Sequence, residues 1–129
     1  MNKTKRFLFV FTAMLMILSF GFSAIAAVTS TAYYNVTSES EIIPFSNSNN
    51  YNMYGKFNTT PSVGNGGVWI KVYKSDGTYV TSKLFPKQTT VSNLQVTFQS
   101  QMHYSIRVCP NTAGQNVRGY VNYTISTDP

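Results

Sequence analysis

From residue 51 to residue 126, apolar and polar side chains trade places at nearly every step. Val68, Ile70 and Val72 alternate with Trp69, Lys71 and Tyr73, and Leu94, Val96 and Phe98 with Gln95, Thr97 and Gln99. Tyr104, Ile106 and Val108 do the same with Ser105, Arg107 and Cys109. Successive residues of a strand point to opposite faces, so a period of two sets one row against a core and the other in solvent. A core-facing helix needs a period of 3.6, and no stretch of useful length after residue 27 carries one. The wealth of Thr, Val, Tyr, Asn and Ser favours strands and turns for the same reason.

The strands can be placed in order. Residues 51–57 form one with Tyr51, Met53 and Phe57 on a single face. After the 68–73 strand, Asp76-Gly77 predicts a type I′ hairpin, which needs positive φ at both central residues. The return strand then covers 78–85 and stops at Pro86, which cannot donate to a ladder. Residues 94–98 and 104–109 add two more. A turn at 110–114 leads to 117–126, with Val121, Tyr123 and Ile125 inward. Residues 32–37 and 41–45 are weaker candidates, and 46–50 and 59–67 read as exposed loops. Seven or eight short strands at this spacing predict an all-β fold, a single antiparallel β-sandwich of jelly-roll type. No repeat divides it.

Ahead of this domain, Lys3, Lys5 and Arg6 precede an apolar run over 7–22 and the small residues of Ala24-Ile25-Ala26. That order is the pattern of a secretory signal peptide over residues 1–27, cleaved after Ala26 or Ala27. The run is about 16 residues, short of the roughly 20 that span a bilayer. The expectation is an exported, extracellular domain over 28–129. Its few charges, abundant Asn and Lys-rich leader look bacterial. No cysteine follows the apolar run to carry a lipid. Within 28–129, seven basic side chains face four acidic ones, a net charge of +3 in place of +6 for the whole chain. The single cysteine, Cys109, forbids an internal disulfide, so packing must hold the domain together. A buried, inert thiol is the default expectation for it, and an intermolecular disulfide the alternative.

One resemblance rests on several segments in a fixed order. Phe45-Ser-Asn-Ser-Asn-Asn50 comes first, then Val68-Trp-Ile-Lys-Val-Tyr73 with its Asp76-Gly77 turn, Tyr104-Ser-Ile-Arg-Val108 and Gly119-Tyr-Val-Asn-Tyr-Thr-Ile125. Together they resemble the bacterial pre-peptidase C-terminal type of β-sandwich, over about residues 42–126. The resemblance implies an accessory, non-catalytic module of the kind appended to secreted enzymes.

Reactive side chains are sparse. His103 is the single histidine, and a Ser-His-Asp set would need Asp76 or Asp128 to orient it. Cys109 and His103, six residues apart on one strand, lie about 20 Å from each other, too far for proton transfer. Glu39 and Glu41 share a face at about 7 Å, the separation of a glycosidase pair, but lack an aromatic cleft beside them. Zinc has no ligand cluster, and the Asn-rich residues 46–52 offer calcium only neutral oxygens. The expectation is no catalytic residue, no metal and no cofactor. Sequons at Asn35, Asn58 and Asn122 matter only in a eukaryotic secretory route.

What remains is an aromatic and basic row. With Val68, Ile70 and Val72 inward, Trp69, Lys71 and Tyr73 point outward, and the same logic turns out Tyr54, Lys56, Arg118 and Tyr120. Exposed rings beside cations suit stacking on sugars and contact with anionic polymers; Trp69 has the competing reading of a core residue. The leading expectation is a small secreted, non-enzymatic binding module for a cell-wall or anionic polysaccharide, another surface polymer, or another exported protein. The alternative is a secreted effector (a toxin, an antimicrobial or an inhibitor) acting on membranes or competing cells. No amphipathic helix or glycine-rich segment supports stable membrane insertion, and seven scattered cations form no nucleic-acid site.

Overall fold

The computed structural model describes residues 27–63, 66–87 and 91–129. The leader expected over 1–27, with the cleavage position Ala26, lies outside these residues except for Ala27. Eight strands follow in order: β1 (Val28–Val36), β2 (Ser40–Asn47), β3 (Met53–Thr59), β4 (Val68–Lys74), β5 (Tyr79–Phe85), β6 (Leu94–Phe98), β7 (Met102–Pro110) and β8 (Val117–Ser126). One sheet runs β1-β8-β3-β6 and the other β2-β7-β4-β5, and all pairings are antiparallel. Only β4 and β5 are joined as a hairpin within one sheet. Every other connection carries the chain across to the opposite sheet, which is the winding of an eight-stranded jelly roll.

The alternating rows do what their period requires. Val68, Ile70 and Val72 of β4, Ile106 and Val108 of β7 and Val117 and Val121 of β8 are wholly buried between the sheets. An aromatic cluster fills the middle. Phe98 lies 4.6 Å from Phe45, 4.9 Å from Tyr104 and 6.1 Å from Phe57, ring centre to ring centre, and Phe57 stacks on Tyr123 at 5.9 Å. Such tilted and edge-on contacts suit the ring quadrupoles as well as the apolar burial. Gly55 is the gap in the alternation of β3. A Cβ there would lie 2.6 Å from the Phe98 ring and 2.7 Å from the Phe57 ring, so the missing side chain is the room those rings occupy.

Four local expectations change. Tyr51 lies before β3 and is 43% exposed; the inward row is Met53, Gly55, Phe57 and Thr59. The hairpin after β4 is not type I′, because Gly77 has positive φ (92°) and Asp76 does not. Gly77 N–H donates to the Lys74 carbonyl and Lys74 N–H to the Thr78 carbonyl. This three-residue loop closes on a left-handed glycine, a standard hairpin geometry, and a separate register shift follows between Val72 and Tyr73. Residues 46 and 47 belong to β2 instead of a loop. Asn47 is buried and its amide nitrogen donates to the carbonyls of Tyr51, Phe98 and Gln99 at 2.9–3.2 Å. Cys109 is half-buried on the outward row of β7 and not in the core, because Tyr104, Ile106 and Val108 occupy the inward row.

Candidate functional site

The jelly roll divides the seven expected site residues between two opposite surfaces. Trp69, Lys71 and Tyr73 of β4 lie on the outer face of the β2-β7-β4-β5 sheet, all half-buried. Tyr54 and Lys56 of β3 and Arg118 and Tyr120 of β8 lie on the outer face of the other sheet. All seven point away from the core as the alternation requires. They form two patches and not one.

The β4 patch is closed by its own contacts. Glu39, in the link between β1 and β2, bridges Lys71 Nζ and Arg107 Nη1 at 3.4 Å each. Arg107 also donates from Nε to Ser105 Oγ at 3.1 Å and covers the Tyr73 ring at 5.4 Å. Ser105 in turn donates to the Glu41 carboxylate. Burial lowers the Lys71 pKa, but Cys109, Glu39 and Tyr73 together outweigh it and hold the ammonium above its ordinary value. Trp69 Nε1 donates to Asn111 Oδ1 at 2.8 Å, and Tyr73 packs edge-on against Tyr79 at 5.9 Å. The carboxylates of Glu39 and Glu41 offset the charges of Lys71 and Arg107, so this cluster presents no net positive charge to an anionic polymer. The pair Glu39 and Glu41 is likewise occupied. His103 Nδ1 contacts Ser46 Oγ at 2.7 Å across the β2–β7 pair. Among the described residues no carboxylate hydrogen-bonds to that imidazole, and no group of three or more His, Cys, Asp or Glu gathers as metal ligands.

The opposite face is open. Down the exposed row of β8 run Arg118, Tyr120, Asn122 and Thr124; across from them on β1 lie Asn35, Tyr33, Thr31 and Thr29. Tyr33 and Tyr120 face each other with ring centres 5.3 Å apart, and they are 54% and 56% exposed. Beside them Thr31, Thr60, Ser62, Gly119, Tyr120 and Asn122 line an open depression of ≈ 500 Å³. On the other flank of β8, β3 contributes Asn58 opposite Asn122, Lys56 opposite Thr124 and Tyr54 opposite Ser126. Tyr54 is therefore six residues along the strand from Tyr120, about 20 Å at the usual rise.

A buried polar chain fixes the Tyr120 end. Thr59 Oγ1 donates to the Tyr120 carbonyl at 2.7 Å, so the Tyr34 hydroxyl donates to Thr59 at 2.8 Å. Burial raises the Tyr34 pKa, with the Thr59 bond pulling the other way, which keeps the phenol neutral and donating. Gly119 makes the space, since a Cβ there would lie 2.8 Å from the Tyr34 hydroxyl. Tyr33 is absent from the residues expected from sequence. It falls in the weaker strand candidate 32–37, and nothing local says that β1 pairs with β8.

No family model and no curated protein matches the chain. A solved structure from the Bacillus endospore appendages, described as a novel family of disulfide-linked pili, shares the fold. It superposes with a TM-score of 0.57 at 14% identity, over 83% of this chain and 90% of that one. The likeness is one of fold.

Proposed function

We propose that this is an exported, non-enzymatic β-sandwich that binds a hydroxyl-rich surface polymer, a polysaccharide, on the outer face of the β1-β8-β3-β6 sheet. The observation that carries the reading is the Tyr33–Tyr120 pair beside a depression rimmed by hydroxyl and amide side chains, with Tyr54 about 20 Å away. Sugar rings stack their C–H faces on exposed aromatic rings, and Thr, Ser and Asn satisfy the hydroxyls around them. An open sheet face with rings about 20 Å apart fits an extended chain better than a single small molecule. Lys56 and Arg118 add charge without dominating the face. The resemblance to pre-peptidase C-terminal domains is in keeping with an accessory role.

The test is retention of the exported chain on insoluble cell-wall polysaccharide. Tyr120→Ala and Tyr33→Ala are expected to weaken binding by about 1–2 kcal/mol each, roughly tenfold, given typical aromatic contributions. Lys71→Ala on the opposite face is expected to leave retention unchanged, and added salt to change it little. Retention indifferent to both tyrosines, or abolished by moderate salt, contradicts the reading. Dye release from anionic vesicles at micromolar protein would instead favour the membrane-acting effector.

The fold likeness to a pilus protein favours a second reading, a subunit of a surface assembly. Disulfides can link subunits into a continuous chain only if each offers two cysteines. This sequence holds one. Assembly here would rest on non-covalent contacts, and Cys109→Ser is expected to leave any oligomer intact on sedimentation.

A further inference from the structure

Four strands end the two sheets: β1 and β6 in one, β2 and β5 in the other. A strand edge offers a row of N–H and C=O groups to any second strand. Folded proteins block such edges with bulges, prolines, inward-pointing charges or very short strands. Three of the four edges here carry a block. β2 contains Pro44, and its register with β7 breaks between Glu41 and Ile43. β5 has a register break against β4, and its Lys83, opposite the buried Ile70, points to the core side and bonds Ser92 Oγ at 2.6 Å. β6 is five residues long, and the chain entering it is tied down by Asn58, which donates to the Val91 carbonyl at 2.8 Å.

β1 has none of these. Its nine residues, Val-Thr-Ser-Thr-Ala-Tyr-Tyr-Asn-Val, contain no proline, glycine or charge, and they pair with β8 without a register break. Its inward row is incompletely covered: Tyr34 is buried, but Val28, Ser30, Ala32 and Val36 are half-buried.

We propose that the free edge of β1 pairs with β1 of a second copy of this chain, antiparallel about a two-fold axis, joining two four-stranded sheets into one of eight. The occupant follows from the survey of edges. In a solution of this chain, the unblocked edge among the described strands is β1 itself, so the strand able to meet it is another β1. Antiparallel self-pairing is isologous and closes at two copies. Centred on Ala32, it sets Val28 opposite the partner's Val36 and Ser30 opposite the partner's Tyr34 on the inner row, and Thr31 opposite the partner's Tyr33 on the outer one. A neutral strand places no like charges across the pair. The two Tyr33–Tyr120 pairs then share one continuous face.

Sedimentation velocity of the exported chain over a wide concentration range tests this, with circular dichroism confirming the fold of each variant. The wild type is expected to form a reversible dimer. Ser30→Lys copies the inward lysine of β5: in a monomer the ammonium can reach solvent past the open edge, whereas a partner strand would bury it. This variant is expected to be monomeric. Thr31→Lys, on the solvent row, leaves the core untouched and is expected to raise the dissociation constant about tenfold by bringing its cation near its symmetry mate. Thr97→Lys makes the same change on β6 and is expected to have no effect. If Ser30→Lys fails to fold, Thr31→Lys decides. A wild type that stays monomeric, or a dimer indifferent to Thr31→Lys, overturns the proposal.

Discussion

At the scale of single residues, Tyr34 shows how a buried polar group can shape the surface above it. Its hydroxyl, Thr59 Oγ1 and the Tyr120 carbonyl form one chain beneath the candidate face. The phenol's folded pKa is raised, so its stabilising contribution is complete below the unfolded tyrosine value near 10. It is lost as pH rises above that value toward the folded one, because the unfolded chain then ionises and the native chain does not. Tyr34→Phe removes both the hydrogen bond and the titration. The variant is expected to be less stable than wild type by about 1 kcal/mol at pH 8. The gap should narrow above pH 10, as urea midpoints measured from pH 8 to 11 would show. The sequence offers residues 32–37 as a strand but says nothing of Thr59, which lies on β3, a strand that does not pair with β1 and that the Tyr34 side chain reaches across β8.

At the scale of elements, the β4–β5 hairpin separates what local sequence decides from what it does not. Asp76-Gly77 between two alternating runs announces the turn. Its type is seen only in the three-residue loop that Lys74 and Thr78 close, and the bulge between Val72 and Tyr73 lets the return strand regain register with Val68 opposite Phe85. Gly77 has φ 92° and open space where a Cβ would go. Gly77→Ala is therefore expected to cost about 1 kcal/mol from backbone strain alone, read as a lower urea midpoint with an unchanged slope. The rows of β4, β6, β7 and β8 were legible for a related reason: one wholly buried face forces strict alternation. β1 was harder to read, because an edge strand with a half-covered inner row can carry Ser30 and Ala32 where a central strand carries Val and Ile.

Across the whole molecule, the first strand pairs with the last, and one hairpin is the sole local pairing among the described strands. Loop-closure entropy must be met before these distant contacts contribute, so folding of residues 28–129 is expected on the millisecond-to-second scale. Stopped-flow fluorescence of Trp69 would follow it. A microsecond relaxation would contradict the topology.

The sequence by itself determined that the chain forms strands, which side chains of β4, β6 and β8 face the core and that the strands build an all-β sandwich, because each of these depends on a period read along a few neighbouring residues. It could not determine which strands lie side by side. Trp69, Lys71 and Tyr73 carry the same outward signal as Tyr54, Lys56, Arg118 and Tyr120, yet the jelly-roll winding sends the two sets to opposite surfaces. There Glu39 and Arg107 close one patch, while Tyr33, brought to Tyr120 from the far end of the chain, completes the other. Only tertiary structure decides such meetings, since they join residues whose separation in sequence carries no local signature.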